Sequence, residues 1–183
     1  MPNLYFTSDH HFGHKNIIKY CNRPFTDVHE MNKALIDNWN TVIPQDGTVY
    51  YLGDFAWRTC RFEEIRKRLN GKIHLIRGNH DRSTIKQKHY GLFESVQDYL
   101  EIEIQHPIRK KLVLCHYPFR TWDKSHYNSW SLHGHCHGGL SHEGTLRLDV
   151  GVDTNNYYPY TLEQVIEILS TREKERDAAR EKK

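Results

Sequence analysis

Apolar residues along the chain fall into two alternating patterns: short runs with no helical period, and longer stretches with apolar positions three and four residues apart. Leu4-Tyr5-Phe6-Thr7-Ser8 is a run of the first kind and ends abruptly in Asp9-His10-His11-Phe12-Gly13-His14, a strand delivering a polar loop. Ile17, Ile18 and Cys21 predict a short helix over 15–21, whose N-terminal N–H groups could face an anion. Asp27 followed by Glu30 is a capping-box pattern, and Met31, Ala34, Leu35, Trp39 and Val42 carry the clearest helix as far as Pro44. Thr48 to Leu52 is a β-rich run closing in Gly53-Asp54. Phe62, Ile65 and Leu69 share one face of a helix over 61–69, and Lys72 to Arg77 is a third strand closing in Gly78-Asn79-His80-Asp81.

After a helical piece at 83–90, the segment from Leu92 to Gln105 reads as one strand with a wet face, Leu100, Ile102 and Ile104 alternating with Glu101, Glu103 and Gln105. Lys111 to Cys115 is a further apolar run closing in His116-Tyr117-Pro118. Residues 119–130, with Arg120, Trp122, His126 and Trp130, have no clear period and read as a substrate-side loop. Thr145 to Val150 is a strand, and Thr161 with Gln164 caps a last helix whose face is Leu162, Val165, Ile166 and Leu169. Residues 171–183 are nearly all charged and read as a solvated, fraying helix end, so the domain is expected over 1–170.

Composition narrows this picture without changing it. The 183 residues suffice for one domain with its own core, and 37% hydrophobic with 27% charged residues excludes intrinsic disorder. A net charge of +3 with scattered Lys and Arg excludes the dense basic stripe of a dedicated nucleic-acid binder, while a small phosphorylated substrate stays compatible. Four cysteines without C-x-x-C spacing, in a chain too large to need stapling, make a reducing cytoplasm the simplest compartment. The first residues carry no signal-peptide pattern and no run reaches membrane-spanning length, so the protein is expected to be soluble and unexported.

Candidate chemistry begins at Leu132-His133-Gly134-His135-Cys136-His137-Gly138-Gly139, with three imidazoles in five residues. If this piece is extended, His133, His135 and His137 share one face and Cys136 points away from His135 and His137, while the glycines admit close approach of an ion. A surface histidine patch would look the same. Four apolar runs, however, end in metal-ligand residue types: Asp9/His11, Asp54, Asn79/His80 and His116. Each alone has a structural explanation, as helix cap, turn or core histidine. Repeated at the carboxyl ends of strands alternating with helices, where such sheets place their sites, they converge.

In their order, Asp9-x-His11, Gly53-Asp54, Gly78-Asn79-His80-Asp81, His116 and Gly134-His135-Cys136-His137 resemble the motifs of the calcineurin-like metallophosphoesterase superfamily, in its small stand-alone bacterial or phage type. The resemblance covers about residues 3–153 and implies an α/β fold, a four-layer αββα sandwich of two mixed β-sheets flanked by helices. It also implies a metal-dependent phosphoric ester hydrolase, phosphodiesterase or phosphatase, with two divalent ions. Asp9, His11 and His137 would hold one ion, Asn79, His116 and His135 the other, and Asp54 would bridge. The attacking group would be a metal-bridging hydroxide, with His80 assisting the leaving group. Oxygen and imidazole ligands leave Mn²⁺, Fe, Ni²⁺ and Zn²⁺ open, with Mn²⁺ favoured. His14, Asn16, Arg23 and Arg120 adjoin the motifs and are candidate phosphate contacts.

One position departs from the pattern. Many members continue Gly-Asp as G-D-x-x-D, whose second Asp orients the catalytic histidine, and here Trp57 stands there. The support of His80 would then fall to Asp81 or another group. The expected substrate is a phosphate mono- or diester of a small, nucleotide-like molecule. Two readings compete: a nuclease acting on nucleic-acid ends, with Trp122 and Trp130 stacking a base, and a protein-interaction scaffold, whose mark would be lost ligands. No motif ligand is lost.

Overall fold

The computed structural model describes residues 3–58, 60–142 and 144–181. Three parallel strands, β1 (Leu4–Thr7), β2 (Thr48–Tyr51) and β3 (Lys72–Ile76), form the centre of a first sheet. Short β4 (Ser95–Gln97) extends it in parallel beside β3, and β9 (Tyr160–Thr161) pairs antiparallel with β1, giving the order β4-β3-β2-β1-β9. The second sheet, β5-β6-β7-β8, contains β5 (Tyr99–Ile104), β6 (Lys110–Cys115), β7 (Trp130–His133) and β8 (Arg147–Asp149). Only its β5–β6 pair is antiparallel. The helices are single-turn α1 (Ile17–Tyr20) and α4 (Asp81–Thr84), longer α2 (Val28–Val42) and α3 (Phe62–Arg68), and C-terminal α5 (Leu162–Glu181). Two mixed sheets with flanking helices follow from this order.

Strand alternation divides the core in two. Val49, Tyr51, Ile73 and Leu75 face Met31, Leu35 and Trp39 of α2 and Phe62 and Ile65 of α3. Phe6, Leu52 and Ile76 face the other way, against Leu112, Leu114, Leu132 and Leu148 of the second sheet and Leu162, Val165 and Leu169 of α5. Capping fixes where the helices start. Asp27 accepts from the N–H groups of His29 and Glu30 at 2.7 and 2.9 Å, and Thr161 and Gln164 cap each other reciprocally at 2.9 and 3.3 Å.

Three predicted boundaries move. The single strand expected over 92–105 is two, because the chain leaves the first sheet after Gln97 and enters the second at Tyr99; an alternating pattern is blind to a change of partner. The helical piece at 83–90 resolves into α4 and a 3₁₀ turn at Gln87–Leu92. The charged end is no fraying tail as far as it is described. The α5 helix runs unbroken to Glu181, and of this end residues 182 and 183 lie outside the described residues. Glu173 accepts from Lys110 at 2.9 Å and from the indole N–H of buried Trp130 at 3.1 Å, and Arg176 donates to Asn128 at 2.6 Å. The polar pattern belongs to a helix face bonded to the first residues of β6 and β7, the inner strands of the second sheet.

Glu173→Ala would leave the Trp130 indole N–H without its acceptor and Lys110 without its ion pair, and should destabilise the protein by about 1–2 kcal/mol in urea denaturation. A solvated tail position would shift stability by less than about 0.5 kcal/mol.

Candidate metal centre

Parallel register brings β1, β2 and β3 to one edge of the first sheet, Thr7 pairing with Tyr51 and Tyr51 with Leu75, so the loops that follow them leave side by side. β6 and β7 release His116 and the histidine loop beside them; Gly134 N–H donates to the His116 carbonyl at 3.0 Å. The chain turns sharply at the ends. Asp9, His11, Asp54, His135 and His137 all have left-handed backbone, with φ of 60°, 52°, 58°, 71° and 48°. Asp and His tolerate that region better than bulky or branched residues, and positions of this kind concentrate at functional sites.

The side chains gather around Asp54. Its Oδ2 lies 3.6 Å from His11 Nε2, 3.5 Å from His116 Nε2 and 3.7 Å from His80 Nε2. Two sets of ligand atoms have all members within 4.8 Å of one another: Asp9, His11 and His137, and Asp54, His116 and His135. Asn79 joins the second set, its Oδ1 3.1 Å from His116 Nε2. His11, Asp54 and His80 form a further set under the same limit. Backbone approaches tightly here. A Cβ on Gly134 would sit 2.4 Å from Asp9 Oδ2, and one on Gly78 2.2 Å from Asp54 Oδ1.

The electrostatics treat the groups of the two sets unequally. Burial raises the Asp9 carboxyl to about 7, against the opposing pull of His116, His137 and the Ser8 hydroxyl. Burial, together with neighbouring His137 and Arg23, holds His11 well below the usual imidazole range, and His135 is lowered by burial and His116. Both shifts favour the neutral form of the ring, the form that can ligate. Both ring nitrogens of His11 are buried without a hydrogen-bond partner, so the imidazole points at a position its protein neighbours do not satisfy. His116 Nδ1 contacts the Leu52 carbonyl at 2.7 Å, which leaves Nε2 for the site. For His137, burial opposes the charged form, but hydrogen bonds to Asp153 and Cys21 and the charges of Asp9 and Asp153 outweigh it and raise the ring to about 10.

A cavity of about 310 Å³ opens over this cluster, lined among others by His14, Asn16, Tyr20, Trp57 and His80. His14 and Asn16 thus stand where a substrate would enter. Arg23 does not; its side chain is fully buried and its five N–H groups are engaged by Asp153, two carbonyls and the Met31 sulfur, so no donor is left for phosphate. Arg120 is exposed and outside the cavity lining. At the start of α1 the Ile17 N–H donates to the His14 carbonyl at 3.2 Å and the Lys19 N–H to that of Asn16 at 3.1 Å. Trp130 is fully buried and cannot stack a base, while Trp122 is half-buried against the second core with its indole N–H donating to Ser129, and neither lines the cavity.

The histidine loop is not extended. β7 ends at His133, whose ring turns to His142 at 5.2 Å, and the left-handed residues that follow aim His135 and His137 into different sets. The argument from alternation for Cys136 therefore fails, although among the described residues Cys136 belongs to none of the close ligand sets. Asp81 does not orient His80. Its buried carboxylate accepts the N–H groups of Asp54, Phe55 and Gly78 at 2.7, 2.9 and 2.8 Å. His80 instead lies against Trp57 and His11, both with ring centroids 5.1 Å away, and its backbone N–H donates to Asp54 at 2.9 Å. Sequence reasoning missed Asp153, yet Leu148-Asp149-Val150-Gly151-Val152-Asp153 is one more apolar run closing in carboxylates.

Residues 2–179 match the family model described as calcineurin-like phosphoesterase. The chain is 35% identical over 178 residues to the uncharacterized protein MJ1445 of Methanocaldococcus jannaschii, covering 92% of each chain. It is 28% identical over 186 residues to the Gene 66 protein of Mycobacterium phage L5, covering 84% of this chain and 87% of that one. The crystal structure of the Aquifex aeolicus protein of unknown function AQ665 superposes with a TM-score of 0.71 at 26% identity, over 90% of this chain and 98% of that one.

Removing the Asp81 carboxylate would orphan three buried N–H groups at once. Asp81→Ala should lower the unfolding free energy by about 2–5 kcal/mol, read from denaturant midpoints, whereas loss of an exposed turn aspartate would be within the error of the method.

Proposed function

The chain belongs to the calcineurin-like phosphoesterases, and from that premise we propose that it hydrolyses phosphate esters of small, nucleotide-like substrates with the help of two divalent cations. The observation that carries this reading is the position of Asp54, about equidistant from three imidazoles while both nitrogens of neighbouring His11 lack a protein partner. On this reading Asp9, His11 and His137 would hold one cation and Asn79, His116 and His135 the other, with Asp54 available to both. When bound, the cations supply Lewis acidity: a lowered pKa for coordinated water and positive charge against the phosphoryl oxygens. A donor set of carboxylate, amide and imidazole suits Mn²⁺, which we favour over Fe, Ni²⁺ or Zn²⁺.

The chain's own groups do the remainder. His80 sits at the lip of the cavity with its side chain 34% exposed, where its ring can meet a leaving-group oxygen and pass it a proton. Trp57 and His11 hold that ring by contact, in place of the carboxylate the second motif lacks. Asn16 and His14 line the side where the ester's remaining oxygens would lie. Tyr20, His14 and Trp57 form an aromatic wall, His14 lying 6.2 Å from Tyr20 and 4.0 Å from Trp57, which supports a substrate carrying a flat ring. A nuclease acting on ends would use the same wall. No helix among the described residues is long and apolar enough to cross a membrane, and we place the activity in the cytoplasm.

A second role for His80 has one observation behind it, the close set it forms with His11 and Asp54, which would let it ligate an ion instead of donating a proton.

The purified protein should take up about two Mn²⁺ per chain in elemental analysis, and Asp54→Asn should weaken both sites because it serves both. His80→Ala separates the two roles. As a proton donor its loss leaves both ions bound, slows hydrolysis of alkyl phosphate esters by about 10²–10⁴-fold, and spares nitrophenyl esters, whose leaving group departs without a proton. Loss of an ion with equal damage on both esters would make His80 a ligand.

A further inference from the structure

Behind His137 lies a buried charged cluster that the proposed reaction does not use. The Arg23 guanidinium donates Nε to Asp153 Oδ1 and Nη2 to Asp153 Oδ2, both at 2.8 Å, with its side chain fully buried. The same guanidinium donates to the backbone carbonyls of Asp9 at 2.7 Å and His10 at 2.9 Å. Asp153 Oδ2 in turn accepts from His137 Nδ1 at 2.7 Å. One planar group therefore holds the backbone of the first motif and, through a single carboxylate, the ring of the last. Arg23 and Asp153 stand 130 positions apart in sequence.

We propose that Arg23 and Asp153 are positioning residues for one of the two ion sites only, the one made by Asp9, His11 and His137. The proposal rests on reading the cavity as a two-metal site. A carboxylate on Nδ1 fixes the tautomer and the plane of a ligating imidazole, so His137 presents the lone pair of Nε2 to the ion. The guanidinium fork matches a carboxylate in two bonds and so locks Asp153 itself, which a lysine's point charge would not do. The other site is oriented separately, His116 being held through Nδ1 by the Leu52 carbonyl.

Cys21, His137 and Asp153 also have ligand atoms within 4.8 Å of one another, which raises the alternative of a third ion. Charge decides against it. A cation there would face the Arg23 guanidinium across a 2.8 Å contact to Asp153 and would compete for the His137 Nδ1 that Asp153 already engages. The cluster is built to support a ligand, with its positive charge supplied by arginine.

The test is titration of metal-free protein with Mn²⁺ against a competing chelator, followed by electron paramagnetic resonance, for the parent, Asp153→Asn, Arg23→Gln and Arg23→Lys. The parent should bind two ions with a spin-coupled signal. In all three variants one ion should bind as in the parent and the other about 10–100-fold more weakly, giving the signal of an isolated Mn²⁺ at intermediate concentrations. Arg23→Lys keeps a cation against Asp153 without the fork, so it answers the question even if a charge-deleting variant fails to fold. Equal weakening of both ions would overturn the proposal. So would retention of both ions with only a lower melting temperature, the result for a strut that merely holds the fold. A parent that binds no pair of ions would refute the two-metal reading itself, and the proposal with it.

Discussion

Where parallel strands end, backbone N–H groups lose their ladder partners, and once buried they must find others. In this protein carboxylates take that duty. Asp81 accepts three N–H groups from the second and third loops, Asp9 accepts the N–H of His135 at 3.0 Å, and Asp149 accepts those of Gly138 and Gly151 at 2.9 and 2.8 Å. Asp54 receives the His80 N–H. The loops after β1, β2, β3 and β7 are thus stitched together by anions, and the loop of His116 by the Gly134 N–H on its carbonyl. Buried anions in such number need positive charge close by. Arg23 supplies it on one side, and the unsatisfied imidazole of His11 marks where more is wanted on the other.

The two tasks of these aspartates are separable. Asp81 is enclosed by backbone donors and has nothing left to offer an ion, whereas Asp54 and Asp9 keep oxygen atoms among imidazole nitrogens. Asp81 follows the ligand segment in sequence by only two positions from Asn79, and chemistry alone does not distinguish the two kinds of aspartate. Distance to the nearest free N–H does. The same reasoning explains Trp57: with Asp81 committed to the backbone, His80 is left to aromatic contact, a softer restraint than a hydrogen bond.

Much of this was legible in the chain. Strand-ending ligand types at Asp9, Asp54, Asn79 and His116 could be read because a parallel sheet gives one address to the residues that follow its strands. The unread parts were those in which a residue's partner lies far away. Arg23 looks like any arginine beside a loop until Asp153 is placed against it, and Glu173 looks like surface charge until Trp130 and Lys110 arrive. The switch of sheets between Gln97 and Tyr99 left no mark because both strands alternate alike. Local pattern reports which face of an element is wet, and is silent about which element covers the other.

The first strand, β1, takes its neighbours from opposite ends of the chain, β2 at Thr48–Tyr51 and β9 at Tyr160–Thr161. During synthesis the early loops with Asp9, Asp54 and Asn79 emerge long before His137 and Asp153, so a nascent chain carries only part of each candidate set. Such long-range closure slows folding and delays it until nearly the whole chain is free. Closure of the first sheet and assembly of the candidate site therefore wait on the same late segment of the chain, His133 to Thr161.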